Sequence, residues 1–411
     1  MNVIRKVLIM TLVVMIAITA SVSVTASCIK RDTLTATLDL NVISSNEQLV
    51  YDYYNSINDG DWQAWAEYYA RGIRESYENF VSDKDSQANR TGILAVDSTR
   101  VISITKVSNT YAPYYRELEQ YYNSPESYEC YMVGIDMTVS KETKYYYNGI
   151  NYKLVIIVND DGEWGIGATC GCPAELMLNA KGTLPVEEAI ESYSERAFGS
   201  SQNFTDSNII THHIGQGFIS GDLSSPPSTI NVGDGKVGSG GQPERKSDAT
   251  FTPTFSDYVY NATSNEIPYT YDEEAIKACA VAVKMYAWWC SLGTYREAYG
   301  CDLLGNYDQT YDNTMTTYPS AVSTAIDDVI DYYIISGSDI GKDSGKLFST
   351  NCNNYKSNNY AGSGRLIQSG AQSLATNSNY SWQEIVHYYF DNSTYNHDNC
   401  GVVQIGTHTG M

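Results

Sequence analysis

The stretch NEIPYTYDEEAIKACAVAVKMYAWW, residues Asn265 to Trp289, decides the reading of this chain. Four acidic residues (Glu266, Asp272, Glu273 and Glu274) stand before an Ala-rich run that is apolar on nearly every side, with Lys277 and Lys284 as polar exceptions. A helix of that composition has to be buried, and its small residues let neighbours pack closely on several faces. Pro268 disfavours helical geometry in the residue before it. Thr270 and Glu273 have the spacing of a capping box, and Glu274 in the first turn suits the positive end of the helix dipole. Those carboxylates have structural explanations. Glu266 is different: it is expected at the end of a strand, FSDYVYNATSNE, outside the helix.

Outward from this point, 411 residues are enough for two domains with their own cores. The first 27 residues place Arg5 and Lys6 ahead of an apolar run and then small residues, the layout of a secretory signal. Cleavage after Val24-Thr25-Ala26 predicts an exported, extracellular or cell-wall-associated protein. Thr25-Ala26-Ser27-Cys28 offers the alternative of a lipoprotein, whose lipid on Cys28 would be its contact with a membrane. No later apolar run is long enough to span a bilayer. Net charge of -22 argues against nucleic acid or an anionic membrane as partner, because their phosphates would repel this surface. Eight cysteines follow Cys28, an even number that suits structural disulfides outside the cytoplasm, although spacing does not give the pairing. The five histidines are scattered and Cys170-Gly171-Cys172 is too close for a zinc knuckle, so no metal site is expected.

Residues 44–199 read as helices followed by strands. Leu49, Tyr53, Tyr54 and Ile57 recur at helical spacing, and Gly60-Asp61 breaks the pattern before Trp62, Trp65, Ala66 and Tyr69 resume it. YMVGIDMTVS and YKLVIIVNDDGEWGIGA then alternate or run apolar, with Asp161-Gly162 as a hairpin turn. This order, with YNSINDGDWQAWAEYYA early and NYKLVIIVNDDGEWGIG late, resembles the cone-shaped nuclear-transport-factor-2-like (cystatin-like) fold, in which helices cover a curved antiparallel sheet. That fold hosts enzymes and inert modules alike. LPVEEAIESYSERAF reads as a short helix, and residues 200–254, rich in Ser, Gly, Asn and Pro, read as a flexible linker. The expected class is α+β throughout, the second domain (255–400) being built on the central buried helix.

In that second part, DYVYNATSNEIPYTYDEEAIKACAVAVKMYA resembles the signature of the stage II sporulation protein D family (SpoIID/LytB domain): a YV strand, E-M-P, then E-A-L-K-A-Q-A-V-A-A-R-T-Y-A. Further marks follow in the family's order: YDQTY, AVSTAIDDVIDYY as a strand approach, LFSTNCNN, and RLIQSGAQSLATNSNYSWQEIVHYYF. Together they span about Asp257 to Tyr395. The resemblance implies a peptidoglycan enzyme or modifier whose partner is the glycan strand. The characterised enzyme type is a lytic transglycosylase that cleaves between N-acetylmuramic acid and N-acetylglucosamine. One carboxyl group then suffices, protonating the leaving oxygen and deprotonating the muramic 6-hydroxyl, unlike the paired carboxylates of ordinary glycosidases.

The family's E-M-P position falls on Glu266, the expected acid and base, with Glu274 as second candidate. Lys277, Gln309, Tyr311, Ser349 and Gln368 are expected to line the same groove by that pattern. Two departures stand out. Ala361-Gly362-Ser363-Gly364-Arg365 occupies the family's G-H-G-V-G, and Asp308 stands where the family has the His that, with a Cys, holds zinc in some members. No cofactor is therefore expected. These losses favour a second reading, a non-catalytic wall-binding protein that stimulates a cell-wall amidase. A third is a surface protein whose cone module binds a small ligand.

Overall fold

The computed structural model describes residues 43–113, 115–122, 124–186, Ala189, 226–335, 351–353, 361–393 and 401–407. The expected signal segment, Cys28 and Ser349 lie outside them. The architecture is α+β. Four helices open it: α1 (Ser45–Asn55), α2 (Trp62–Ala66), α3 (Arg71–Ser82) and α4 (Lys84–Ala88). Ser44 caps α1 through a complete capping box with Glu47. Gly60 takes a left-handed φ of 67° to turn the chain into α2, and Asp61 caps that helix by accepting from the Ala64 N–H.

An antiparallel meander follows: β1 (Val96–Val107), the short α5 (Glu119–Tyr122), β2 (Tyr128–Val139), β3 (Gly149–Asp160) and β4 (Glu163–Gly171), in spatial order β1-β2-β3-β4. Between β3 and β4 the predicted turn forms with Asp161 and Gly162 both at positive φ, 53° and 90°, the two-residue geometry whose twist matches the strands it joins. After α6 (Ala174–Asn179) come β5 (Val232–Val237) and β6 (Pro243–Phe251), an antiparallel hairpin.

This hairpin corrects the linker reading of 200–254 across its described part. The segment looks like a linker because its glycines serve close strand approach: a Cβ on Gly235 would sit 2.5 Å from the Gly305 carbonyl oxygen. The neighbour is β7 (Leu303–Leu304), parallel to β5.

Next comes α7 (Phe255–Glu266), where a strand was expected. Its buried residues, Phe255, Tyr258, Val259, Ala262 and Thr263, recur at three and four, the helical period that the aromatic and β-branched composition obscures. Thr254 caps its start by accepting from the Asp257 N–H at 3.0 Å. Ile267, forced extended by Pro268 (φ -118°, ψ 135°), ends it. Glu266 is therefore the last residue of a helix.

The long helix α8 (Glu273–Gly293) is capped by Asp272, which accepts from the Glu274 N–H at 3.1 Å, so the Thr270 capping box does not form. Residues 268–271 make their own turn, with the Tyr271 N–H on the Pro268 carbonyl, which leaves Thr270 two residues before the cap position. From Ala275 to Cys290 nearly every side chain is buried. Around α8 pack α7, α9 (Ser320–Val329), β8 (Tyr332–Ile335), α10 (Gln368–Ser378) and α11 (Trp382–Phe390). AVSTAIDDV, read as the approach to a strand, is α9, and only its continuation enters β8. Short strands β9 (Asn351–Asn353) and β10 (Arg365–Ile367) pair in parallel, and β11 (Gln404–Thr407) pairs antiparallel with β8.

Residues 43–411 form one compact unit. The turn after α8, Thr294 to Gly300, enters the concavity between the first helices and the meander. Glu297 pairs with Lys153 of β3, the Thr294 hydroxyl accepts from the Gly171 N–H at 2.9 Å, and Tyr299 stacks on Tyr77 with ring centroids 5.2 Å apart. The disulfide expectation also fails at five positions: Cys130, Cys170, Cys172, Cys290 and Cys301 are buried free thiols. Burial pushes them all up, Cys301 to about 12.

Candidate active site around Glu266

The geometry at Glu266 is set by Asn261, five residues earlier on α7. Its amide Nδ2 donates to the Asp312 carbonyl at 2.7 Å and its Oδ1 accepts from the Asp312 N–H at 3.0 Å. With both halves of one amide matched to the N–H and C=O of one residue, residues 309–312 are held beside the helix. The Thr310 N–H then meets Glu266 Oε1 at 2.6 Å. Gln368, the first residue of α10 and buried, donates from Nε2 to Glu266 Oε2 at 3.3 Å. Each carboxylate oxygen is thus oriented by one N–H donor, and the residue is half-buried.

Gln309 and Tyr311 flank that donor on either side. Gln309 turns inward, accepting from the Tyr258 hydroxyl at 2.8 Å and donating to the Val283 carbonyl of α8 at 3.2 Å. Tyr311 stacks on Tyr258, centroids 5.6 Å apart and planes 15° from parallel. Burial, then the nearby Cys290 and Glu266, raises the Tyr258 hydroxyl well above its ordinary range, so it stays a neutral donor. Three segments far apart in sequence therefore converge: the end of α7, residues 309–312 and the start of α10.

Glu274 and Lys277 belong to a different cluster. Glu274 Oε2 accepts from the Trp382 N–H at 2.7 Å, supplying a partner for one of the unsatisfied amides at the start of α11. Lys277 Nζ lies 2.6 Å from Glu273, 2.8 Å from Asp328 and 3.4 Å from Glu274. Burial pulls its ammonium down, but hydrogen bonds to Asp328 and Glu273 outweigh it and the net shift is upward. Among the described residues these two side chains join α8 to α11 and α9, and neither bonds Glu266. Ser349 falls outside the described residues.

Asp308 is engaged in a buried ion pair. Arg296 reaches it with Nη2 at 2.7 Å and Nε at 3.1 Å, while Nη1 bonds Glu117, and the Leu304 N–H donates to Asp308 Oδ2 at 2.7 Å. Burial opposes the guanidinium charge, yet Asp308 and Glu117 raise the net value, so the arginine is permanently charged. Among the described residues no group of three or more His, Cys, Asp and Glu side chains is arranged to hold a metal.

Sequence reasoning missed Asn261, Tyr258 and the Thr310 amide. The first two were legible in principle, since positions 258, 261, 262, 265 and 266 share one helical face once the segment is read at its true period. The amide is backbone, and residue type carries no sign of it.

As a chemical arrangement, one carboxylate is held by neutral donors at the junction of three elements, with lone pairs left on its open side. It can accept a proton from a hydroxyl, and it can give one once protonated. Comparison of the chain with protein-family models, with curated proteins and with solved structures found no match.

Proposed function

We propose that this chain is an exported peptidoglycan-processing protein: a nuclear-transport-factor-2-like part joined to a sporulation-protein-D-like part whose Glu266 acts as acid and base in lytic cleavage of glycan strands. The observation that carries this reading is the meeting of the Glu266 carboxylate with the Thr310 amide and the Gln368 side chain. Those three residues sit in three of the segments whose order resembles the family. A carboxyl group that serves twice, first as acid and then as base, has to be oriented and partly shielded, and the half-buried helix terminus supplies both conditions. The apolar and signal-like residues at the start of the chain support export.

The test is incubation of the purified protein with glycan strands stripped of peptide stems, read by mass spectrometry for anhydromuramic ends. Release of such ends, lost in Glu266→Gln, supports the reading. Folded protein that releases none overturns it.

A second reading has its own observation. Asp308, at the family's histidine position, is tied to buried Arg296 and so is unavailable to the site. A glycan-binding protein that stimulates an amidase needs no such residue. In that case Glu266→Gln would leave both strand binding and amidase stimulation intact.

A further inference from the structure

Of the aromatic side chains among the described residues, Tyr269 alone is exposed, at 63%. It stands three residues after Glu266, and neither its ring nor its hydroxyl has a partner among the described residues. A single apolar side chain on a surface is ordinary. What sets this one apart is how its backbone is held. The ring of Pro268 locks its own φ, the Tyr271 N–H closes the turn onto the Pro268 carbonyl at 3.0 Å, and the Asp272 N–H donates to Gln372 Oε1 at 2.6 Å. Gln372 lies one helical turn after Gln368, so one face of α10 grips both Glu266 Oε2 and the end of the turn that carries Tyr269.

The carboxylate therefore has a tyrosine on each flank. On the Oε1 side, Thr310 gives its N–H, and the next residue, Tyr311, lies half-buried against Tyr258 with a hydroxyl that bonds nothing among the described residues. On the Oε2 side, α10 anchors the turn of Tyr269. Thr270 and Ser369, the next residues along the turn and along α10, are exposed, and their hydroxyls bond nothing among the described residues.

A hydroxyl both donates and accepts, as the hydroxyls of a sugar do, whereas a protein partner wants a contiguous apolar core around an anchoring ring. The other exposed large apolar residues among those described, Val237 and Val402, sit on the β5–β6 hairpin and past the end of α11. The face of an aromatic ring is negative, and the axial C–H bonds of a β-linked pyranose present the matching positive surface. We propose that Tyr269 is a stacking platform for a sugar ring of the glycan strand adjoining the bond at Glu266, a positioning residue that takes no part in proton transfer. The proposal rests on the reading of Glu266 as a glycan site. Because Pro268 and Gln372 hold the turn in place, little ordering entropy is lost when the sugar docks.

The test uses the full chain and glycan strands stripped of peptide stems, with binding followed by calorimetry in the Glu266→Gln background, where no cleavage intervenes. Tyr269→Ala should weaken binding about 3–10-fold, Tyr269→Trp should restore it, and Val402→Ala, which trims an exposed apolar side chain elsewhere, should leave it unchanged. With Glu266 intact, Tyr269→Ala should raise KM by the same factor and leave kcat within about twofold. Binding that depends on Tyr269 without any cleavage overturns the Glu266 chemistry and keeps the platform. Cleavage with strand binding unmoved by Tyr269→Ala overturns the platform and keeps the chemistry. Absence of strand binding overturns the platform as well, and so does loss of amidase stimulation in Tyr269→Ala with strand binding intact, which would mark the ring as a protein contact.

Discussion

Lys153 Nζ lies 2.7 Å from Glu297 Oε2, and the two side chains are 5% and 1% exposed. The ammonium also donates to the Tyr145 carbonyl at 2.7 Å and lies 4.6 Å from the centre of the Tyr146 ring. Glu297 is raised above its ordinary range by burial, against the pull of Lys153. Removing one partner strands the other charge in a low-dielectric interior. Lys153→Met or Glu297→Gln should each cost about 3–5 kcal/mol in urea unfolding followed by tryptophan fluorescence, while Lys153→Met with Glu297→Leu should cost far less than their sum.

Glu274 provides the sharpest separation of structure from chemistry. Its bond to the Trp382 amide predicts that Glu274→Ala lowers stability by about 1–2 kcal/mol and leaves any glycan cleavage by the folded protein within about twofold. Thermal unfolding and turnover measured on one preparation check both halves. A large loss of turnover with unchanged stability would return Glu274 to the catalytic list.

Gln368 donates to the Glu266 carboxylate at 3.3 Å, so under the proposed cleavage its part is to orient that group. Gln368→Met keeps the volume and removes the amide, so kcat should fall about 5–10-fold, the equivalent of one hydrogen bond, with KM unchanged. Rising KM with constant kcat would place Gln368 in substrate binding instead.

Lys284 gives the fold a pH dependence. It is buried on α8, donating to the Ile330 and Tyr332 carbonyls just past the end of α9, and burial, partly offset by Asp331, lowers its ammonium to about 7. The unfolded chain binds this proton up to about pH 10.4, so between pH 7 and 10 the unfolded state holds more protons and stability should rise with pH. The full effect has an upper limit of about 5 kcal/mol. Urea midpoints at pH 7 and pH 9 measure it, and in Lys284→Met the rise should flatten.

Gly92 and Gly300 touch backbone to backbone. A Cβ on Gly92 would lie 2.1 Å from the Ala298 carbonyl oxygen, and its φ of 58° is left-handed. Gly92→Ala should therefore cost at least about 2 kcal/mol, read as a lowered unfolding midpoint.

These sites show which features were legible in the sequence. The Asp161-Gly162 turn and the buried character of α8 could be read because a local rule fixes each. The segment 255–266 could not, because Tyr, Val and Phe suggest a strand while their spacing is that of a helix, and tertiary packing on α8 decides between them. The hairpin β5–β6 was invisible because glycine and polar residues also make linkers, and only the neighbouring β7 explains them. At the candidate site, Glu266, Gln309, Tyr311 and Gln368 were named and do gather, whereas Lys277 and Glu274 were drawn in by a motif and belong to helix–helix contacts.

The rings of Tyr69, Tyr77 and Tyr299 lie face to face, with centroids 3.6 Å and 5.2 Å apart. This column begins in the first helices and ends in the turn that follows α8. Anyone trimming the chain to isolate its last third would cut through it, exposing an aromatic surface and stranding Arg296 without Glu117. The practical unit for expression, chimera building or fragment screening is therefore the whole of residues 43–411, and a soluble excised half would have to bring a replacement for the missing wall of that column.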